Sequence, residues 1–450
     1  MKKSIITVML LGLMATPNML SATALNESWI TYEEELPSAY DGRSYCSTVK
    51  NQENDGTCWI YLSNSLLGTS LMKTFGILDP TFYNFSECDM DQRTSSTYGR
   101  DYGFERECGD FGCFSMALSY WTRGELNGPI QEGMSQKSPY YVKQTANIEA
   151  ADSEQYIQQI KELVYRYGGV TASYYSSEYS KGQVFYSRYP YAGNTDLAYY
   201  YPGNNAANHG SIIVGWDDAY SKEHFNPACR PKQDGAFLVK NSWGTQWGQG
   251  GYFWISYETP LADVNAIVEV SEDSFFDTIY ETDKHGLTGG MSASQESHTN
   301  AYMNTYQTKS SKESLTALST YVMAADSRFK LYVSQDGDTA HLKEVKVKNS
   351  GTYQNGYLVE YEGYKTFELE EPLNINGKCL VAIEVTTPEK GVNSIPVEMN
   401  MEGYCNNISA SLKRGYIAKD IASLKRNVTY DIGQKNGNVC LKAFTKKQGN

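Results

Sequence analysis

Two short stretches of this chain hold residue types that can do nucleophilic chemistry. In "NQENDGTCWIYLSNSLLG", Asn51 to Gly68, a cysteine sits where a polar, turn-rich half meets an apolar half. Apolar residues then fall at Trp59, Ile60, Leu62, Leu66, Leu67, Leu71 and Phe75, and Gly76 follows. Steps of three and four predict a helix with Cys58 in its first turn and Gly76 as its stop. Asn54, Asp55, Gly56 and Thr57 are turn and cap formers. Unpaired N–H groups and the helix dipole at that end favour an anion, and a thiolate so placed has a lowered pKa. Cys58 is thus a candidate nucleophile; a plain buried thiol or half of a disulfide are the alternatives.

A thiolate nucleophile needs a base. Of the five histidines (209, 224, 285, 298 and 341) only His209 stands in a context that explains itself. "NHGSIIVGWDD" reads as a strand beginning at His209, and "GAFLVKNSWG" as a second strand stopping at Asn241. Paired antiparallel, with strands of about seven residues, the start of the first lies opposite the end of the second. That brings His209 beside Asn241, whose amide oxygen can accept the ring N–H and leave the other nitrogen for the thiol. The chemistry is acyl transfer. Cys58 attacks a carbonyl, His209 protonates the leaving amine and then activates water, and the Cys58 backbone N–H meets the oxyanion. The side-chain amide of Gln52, six residues earlier, is a second candidate donor, although spacing alone does not separate it from a surface glutamine.

"QENDGTCW", "NHGSIIVGWDD" and "VKNSWGTQWGQGGYFWISY" together resemble the papain-type cysteine peptidases, in the same order, across residues 36–260. "LPSAYDGR" at Leu36 to Arg43 resembles the start of the mature enzyme. The resemblance implies Cys58 as nucleophile, His209 as general acid/base, Asn241 as orienting residue and Gln52 as oxyanion donor. It also implies Trp59 and Trp243 as supports, Trp243 covering the Asn–His hydrogen bond. Three departures stand out. Asp55 replaces the family's first cysteine, removing its usual disulfide. Only about a dozen residues separate Ala24 from Leu36, too few for a long inhibitory pro-segment. Ile60-Tyr61 replaces smaller residues.

The rest of the chain bounds the organisation. Its 450 residues suit two domains. The formal charge of −13 argues against nucleic acid or an acidic membrane surface as main partner. Lys2 and Lys3, the apolar run Ile5–Met14 and Ala22-Thr23-Ala24 read as an export signal over residues 1–24. We expect a secreted or cell-surface protein without an integral membrane segment after its removal. In an oxidising compartment the nine cysteines can form disulfides. "FGCFSMALSYWTRG" and "SEQYIQQIKELVYRYGG" read as helices. Tyr174 to Tyr201 holds nine Tyr, in a half-buried meander or a cleft wall.

Beyond Leu261, short strands separated by Gly, Asn and Asp turns read as an all-β sandwich over residues 262–450. It resembles the lectin-like domain that follows a papain-type domain in some exported bacterial proteins. The fold class expected is therefore α+β: a two-lobed papain-like domain, then a β-sandwich-like domain. "QDGDTAH", Gln335 to His341, reads as a turn. No HExxH, CxxC or P-loop occurs, so no metal, nucleotide or other cofactor is expected. The expected partner is a protein or peptide substrate, with a glycan or cell-surface ligand for the C-terminal domain. An adhesin-like binding protein and a peptidoglycan stem-peptide hydrolase are the alternatives.

Overall fold

The computed structural model describes residues 6–7, 31–32 and 35–448, other than 152, 178, 181–182, 185, 188–196, 295–296, 311, 349–355, 390, 392 and 411. The export segment apart from residues 6–7, and residues 178, 181–182, 185 and 188–196 of the tyrosine-rich stretch, therefore lie outside the described residues.

The helix predicted after the polar turn is α1, Cys58–Phe75, and Gly76 ends it in a left-handed conformation at φ 68°. Cys58 is its first residue. Thr57 precedes it without a side-chain cap; its backbone carbonyl accepts the N–H of Ile60 instead, at 2.9 Å. The helix is buried on nearly every side, at Ser63, Asn64, Gly68, Thr69 and Ser70 as well as along its apolar stripe. One-sided periodicity understates this, because α1 is the pillar between two layers. It packs against the strand His209–Asp217 on one side and against α2 (Glu87–Thr94) and α3 (Phe114–Thr122) on the other. α4, Glu154–Tyr167, is capped by the Ser153 hydroxyl and stopped by Gly168 at φ 98°.

The sheet behind α1 is centred on His209–Asp217. That strand pairs antiparallel with Ala39–Asp41, Val170–Tyr174 and Ala236–Lys240. Ala236–Lys240 continues to Tyr252–Ser256, which pairs parallel with Ala198–Tyr199. The register Ile212↔Lys240, with a bulge between Ile213 and Gly215, fixes how the two chemistry-bearing ends meet.

The C-terminal half is built of sheets. One runs in the order Lys343–Val345, Ser327–Ser334, Lys378–Thr386, Thr299–Gln307, Gly415–Ala418. Alternation assigns its faces. Tyr302 and Tyr306 join a core with Leu318, Phe367 and Leu441, while Ala301 and Met303 face Leu424 of the short helix Ile421–Lys425.

The facing sheet crosses between the halves. Val264–Glu272 pairs along its length with Tyr140–Ile148, and Tyr140–Ile148 meets Gly363–Ile375 at Lys365↔Gln144. Glu313–Val322, Leu441–Lys447 and Thr278–Tyr280 complete six strands. The hydrophobic core is equally continuous: Trp59, Leu118 and Tyr141 share one cluster with Tyr321, Tyr364 and Phe444. All nine cysteines are free thiols, so no disulfide joins or staples the halves here.

Candidate active site

A cleft of about 490 Å³ opens over the start of α1, lined by Gln52, Gly56, Cys58, Gly109, Asp110 and Phe111 on one wall and by Ser176, Asn208, His209 and Trp243 on the other. Four of the six residues named from sequence thus share one concavity. Asn241 stands behind His209, 4 % exposed, and Trp59 lies beneath the floor.

The backbone explains the meeting. Carried past its paired ends, the antiparallel register sets Ser211 near Asn241 and His209 near Trp243. The contacts agree. The Ser211 hydroxyl donates to Asn241 Oδ1 at 3.2 Å, and the His209 ring stacks on Trp243 at 4.7 Å between centroids. His209 Nε2 lies 2.8 Å from Asn241 Oδ1, which also accepts the Ser242 N–H at 2.9 Å. With its lone pairs so engaged, Asn241 Oδ1 holds the imidazole in one tautomer, protonated at Nε2. Tyr174 meets the ring edge-on at 5.6 Å, and Trp247 meets Trp243 at 4.8 Å. The imidazole is therefore packed between two aromatic side chains, Trp243 and Tyr174.

Gly210 is what lets Cys58 approach. A Cβ there would lie 2.4 Å from Leu62 Cδ2, so glycine lets α1 lie this close to the histidine strand without displacing the Leu62 side chain. Gln52 is buried and fixed at both ends of its amide: Oε1 accepts the Ser242 hydroxyl at 2.6 Å, and Nε2 donates to the Asp55 carbonyl at 2.8 Å. An –NH₂ carries two hydrogens, so one remains for the cleft. The Gln52 N–H donates to the Ser242 carbonyl at 2.8 Å, which ties this loop to the asparagine strand. Below, Trp59 Nε1 donates to the Asp110 carbonyl at 3.2 Å, and the Arg106 guanidinium lies over the Trp59 ring.

The electrostatics differ from the expectation drawn from the helix terminus. Burial pushes the Cys58 thiol above its ordinary value, against the backbone N–H groups of Gly210, Trp59 and Cys58 itself. Burial also pushes His209 down to about 4, against the Asn241 hydrogen bond. Taken singly, each group is held neutral. The helix terminus is present, but desolvation in a closed site outweighs it.

Ser211, Ser242, Tyr174 and Gly210 were not singled out from sequence. Ser211 carried a readable signal: it lies two residues after His209 and so on the same face of the strand. The tie between Ser242 and Gln52 spans 190 residues and has no local signature.

Comparison with known proteins identifies two regions of the chain. Residues 36–272 match the papain family of cysteine proteases and residues 279–445 match the lectin-like domain. The chain belongs to the papain family of cysteine proteases. It is 26 % identical over 240 residues to procathepsin L of Rattus norvegicus, an alignment covering 49 % of this chain and 61 % of that one. Its identity to cathepsin K of Mus musculus is 28 % over 240 residues, covering 49 % and 60 %. The chain thus spans about three fifths of the length of these relatives. Among solved structures it resembles the cysteine protease and lectin-like domains of Cwp84, a surface layer associated protein of Clostridium difficile. The TM-score is 0.70 at 21 % identity, over 92 % of this chain and 90 % of that one. A Clostridial Cwp84 structure after propeptide cleavage gives 0.72 at 22 %, over 92 % and 100 %. At this identity the likeness concerns the fold: a papain-like domain followed by a lectin-like all-β domain.

Proposed function

We propose that this protein is an exported thiol endopeptidase acting on protein or peptide substrates. The observation that carries the reading is the His209–Asn241 hydrogen bond of 2.8 Å behind a cleft that holds Cys58, His209 and Gln52 together. Cys58 gives its proton to His209 and its sulfur attacks the substrate carbonyl. Transfer between the two turns neutral buried groups into an opposite-charge pair of zero net charge, so their attraction offsets the burial that disfavours either ion alone. The Cys58 N–H and the remaining hydrogen on Gln52 Nε2 receive the oxyanion. His209 then protonates the leaving amine, and the acyl enzyme is released by water that His209 deprotonates. Asn241 orients the imidazole; Trp243 shields that bond from water.

The strand Val264–Glu272 bonds back to Tyr140–Ile148, and we assign it to the catalytic unit, with the lectin-like unit following. For that unit we propose a glycan or cell-surface ligand, and for the chain a cell-surface or secreted setting. The N-terminal sequence and the surface association named for Cwp84 support this.

The test is labelling with an epoxysuccinyl peptide and mass mapping. Modification confined to Cys58, lost in His209→Ala, is expected. No labelling of folded, reduced protein would sink the peptidase reading. Glycan binding retained by full-length Cys58→Ala would then favour a surface-binding protein.

A further inference from the structure

One wall of the cleft, Gly109 to Phe111, belongs to a segment whose two feet stand on the lectin-like half. At the first foot, the Glu105 N–H donates to the Tyr404 carbonyl at 2.8 Å, and the Gly403 N–H donates to Glu105 Oε2 at 2.7 Å. At the second, the Tyr404 hydroxyl meets Ser115 Oγ at 3.2 Å, and Ser115 Oγ lies 3.1 Å from Cys113 Sγ. Between the feet, the Tyr404 ring packs edge-on against Phe104 at 4.9 Å. One residue thus grips both ends of the eleven-residue segment Glu105–Ser115.

The grip is firm on its own side. Met401 and Cys405 bond to each other across a closed turn, with N–H to carbonyl distances of 2.8 and 2.9 Å, and the Tyr404 N–H returns to the Met401 carbonyl at 3.0 Å. The wall is tied on the inner side as well. Arg106, 5 % exposed, pairs with Asp91 and donates to the carbonyls of Asp110 and Phe111 at 3.0 and 3.3 Å. Asp91 Oδ2 accepts the Gly109 N–H at 3.0 Å, and the Gly56 N–H beside Cys58 donates to the Gly109 carbonyl at 2.8 Å. Phe111 is left 71 % exposed at the cleft edge, an apolar ring held out toward solvent by a braced backbone. Unbound, that exposure is unfavourable; against an apolar substrate side chain it becomes contact area.

We propose that Tyr404 is a positioning residue for the peptidase reaction, and that the lectin-like half thereby completes the substrate cleft rather than merely following it. It touches neither Cys58 nor His209. It fixes the wall on which the substrate backbone and an apolar side chain lie. This rests on the peptidase reading above, and the test separates the two.

The test uses the full chain with Tyr404→Ala and Tyr404→Phe, the second keeping the ring on Phe104 and losing the hydroxyl to Ser115. Hydrogen exchange read by mass spectrometry should rise in residues 105–115 of Tyr404→Ala and stay unchanged in α1. Cleavage of an unstructured protein substrate should show KM up about fivefold to tenfold with kcat within about twofold, since binding geometry is loosened and the chemistry is not. Tyr404→Phe should fall between. Labelling of Cys58 by iodoacetamide should match wild type, while labelling by an epoxysuccinyl peptide should slow. Unchanged exchange in 105–115 would overturn the proposal, as would increased exchange with unaltered KM and peptide labelling. A kcat loss with KM steady, or global loosening that Tyr404→Phe shares, would make Tyr404 a merely structural residue. A wild-type Cys58 silent to both thiol reagents would count against the peptidase reading, while exchange would still judge the clamp.

Discussion

Two regions of this molecule bury ionisable groups, and they resolve the cost in opposite ways. In the cleft, Cys58 and His209 have polar neighbours and make no ion pair among the described residues, and burial holds each neutral. At the seam between the halves, Lys442 is 2 % exposed and meets Glu281 Oε2 at 2.7 Å and Asp283 Oδ2 at 3.1 Å. Their carboxylates hold its ammonium far above the ordinary value, more than offsetting its burial. Close by, Glu398 Oε1 accepts the His285 N–H at 2.6 Å, and His285 Nε2 reaches the Gly103 carbonyl at 3.0 Å across the seam. The seam is a fixed charge arrangement that registers two halves. The cleft keeps charge in reserve, to be created when a proton moves from sulfur to nitrogen. A buried cluster serves structure when its charges are matched beforehand, and serves chemistry when they are matched only during reaction.

The comparison breaks most sharply under deletion. Cys58→Ala or His209→Ala should lower kcat/KM by about 10⁴-fold or more, and in Cys58→Ala, which removes a single sulfur, the urea midpoint should change little. Lys442→Met should do the reverse. Leaving buried carboxylates without their cation costs about 3–5 kcal/mol in equilibrium unfolding, with the cleft chemistry intact in whatever fraction stays folded. A midpoint drop of that size in Cys58→Ala, or none in Lys442→Met, would erase the distinction. Asn241→Ala comes next. Releasing the imidazole should cost about 10²-fold in kcat with KM nearly unchanged, because orientation matters in the transition state more than in binding. An equal rise in KM would mean that Asn241 shapes the cleft instead.

How much of this contrast was legible in sequence depends on how local its causes are. Helix α1, its stop at Gly76 and the placement of Cys58 at its start follow from apolar spacing and a glycine. The His209–Asn241 pairing follows from two strands that are neighbours in sequence, joined by residues 218–235. The charge state of Cys58 was misjudged, because the helix terminus is local while the burial that outweighs it arises only when the fold closes around it. The seam was invisible for the same reason. Lys442, Glu281, Asp283 and Glu398 are polar residues in strands or turns with no spacing that marks them as a cluster. The six-stranded sheet shared by both halves needs Gln144 and Lys365 to meet across more than two hundred residues. Likewise Tyr404, in a turn of the second half, gives no sign that it holds a wall of the first.

The smallest effect, and the one that sharpens the comparison most, is the pH dependence. His209 lies near 4 in the folded protein against an ordinary 6.5, so the unfolded chain takes up that proton first on acidification. Its contribution to stability is complete above about 6.5 and is lost as pH falls toward 4. Asp283 runs the other way. Burial, with Glu281 and Glu398 nearby, raises it to about 7 against an ordinary 3.8, more than Lys442 lowers it. Its contribution is complete below the ordinary value and is lost as pH rises through about 7. One cation among three carboxylates leaves a proton on Asp283. Between about pH 4 and 6.5 the two contributions oppose each other, so the thermal unfolding temperature measured from pH 4 to 8 should rise more steeply with pH in Asp283→Asn, where the His209 slope is left unopposed. The acid limb of kcat/KM should stand near 4 and move up toward 6.5 in Trp243→Ala, which lets water reach the imidazole, while Asp283→Asn leaves that limb in place. An Asp283→Asn variant that moved the catalytic limb, or a Trp243→Ala variant that steepened the rise of stability with pH as Asp283→Asn does, would mean that the two buried clusters titrate as one, and the division between a structural seam and a chemical cleft would fail.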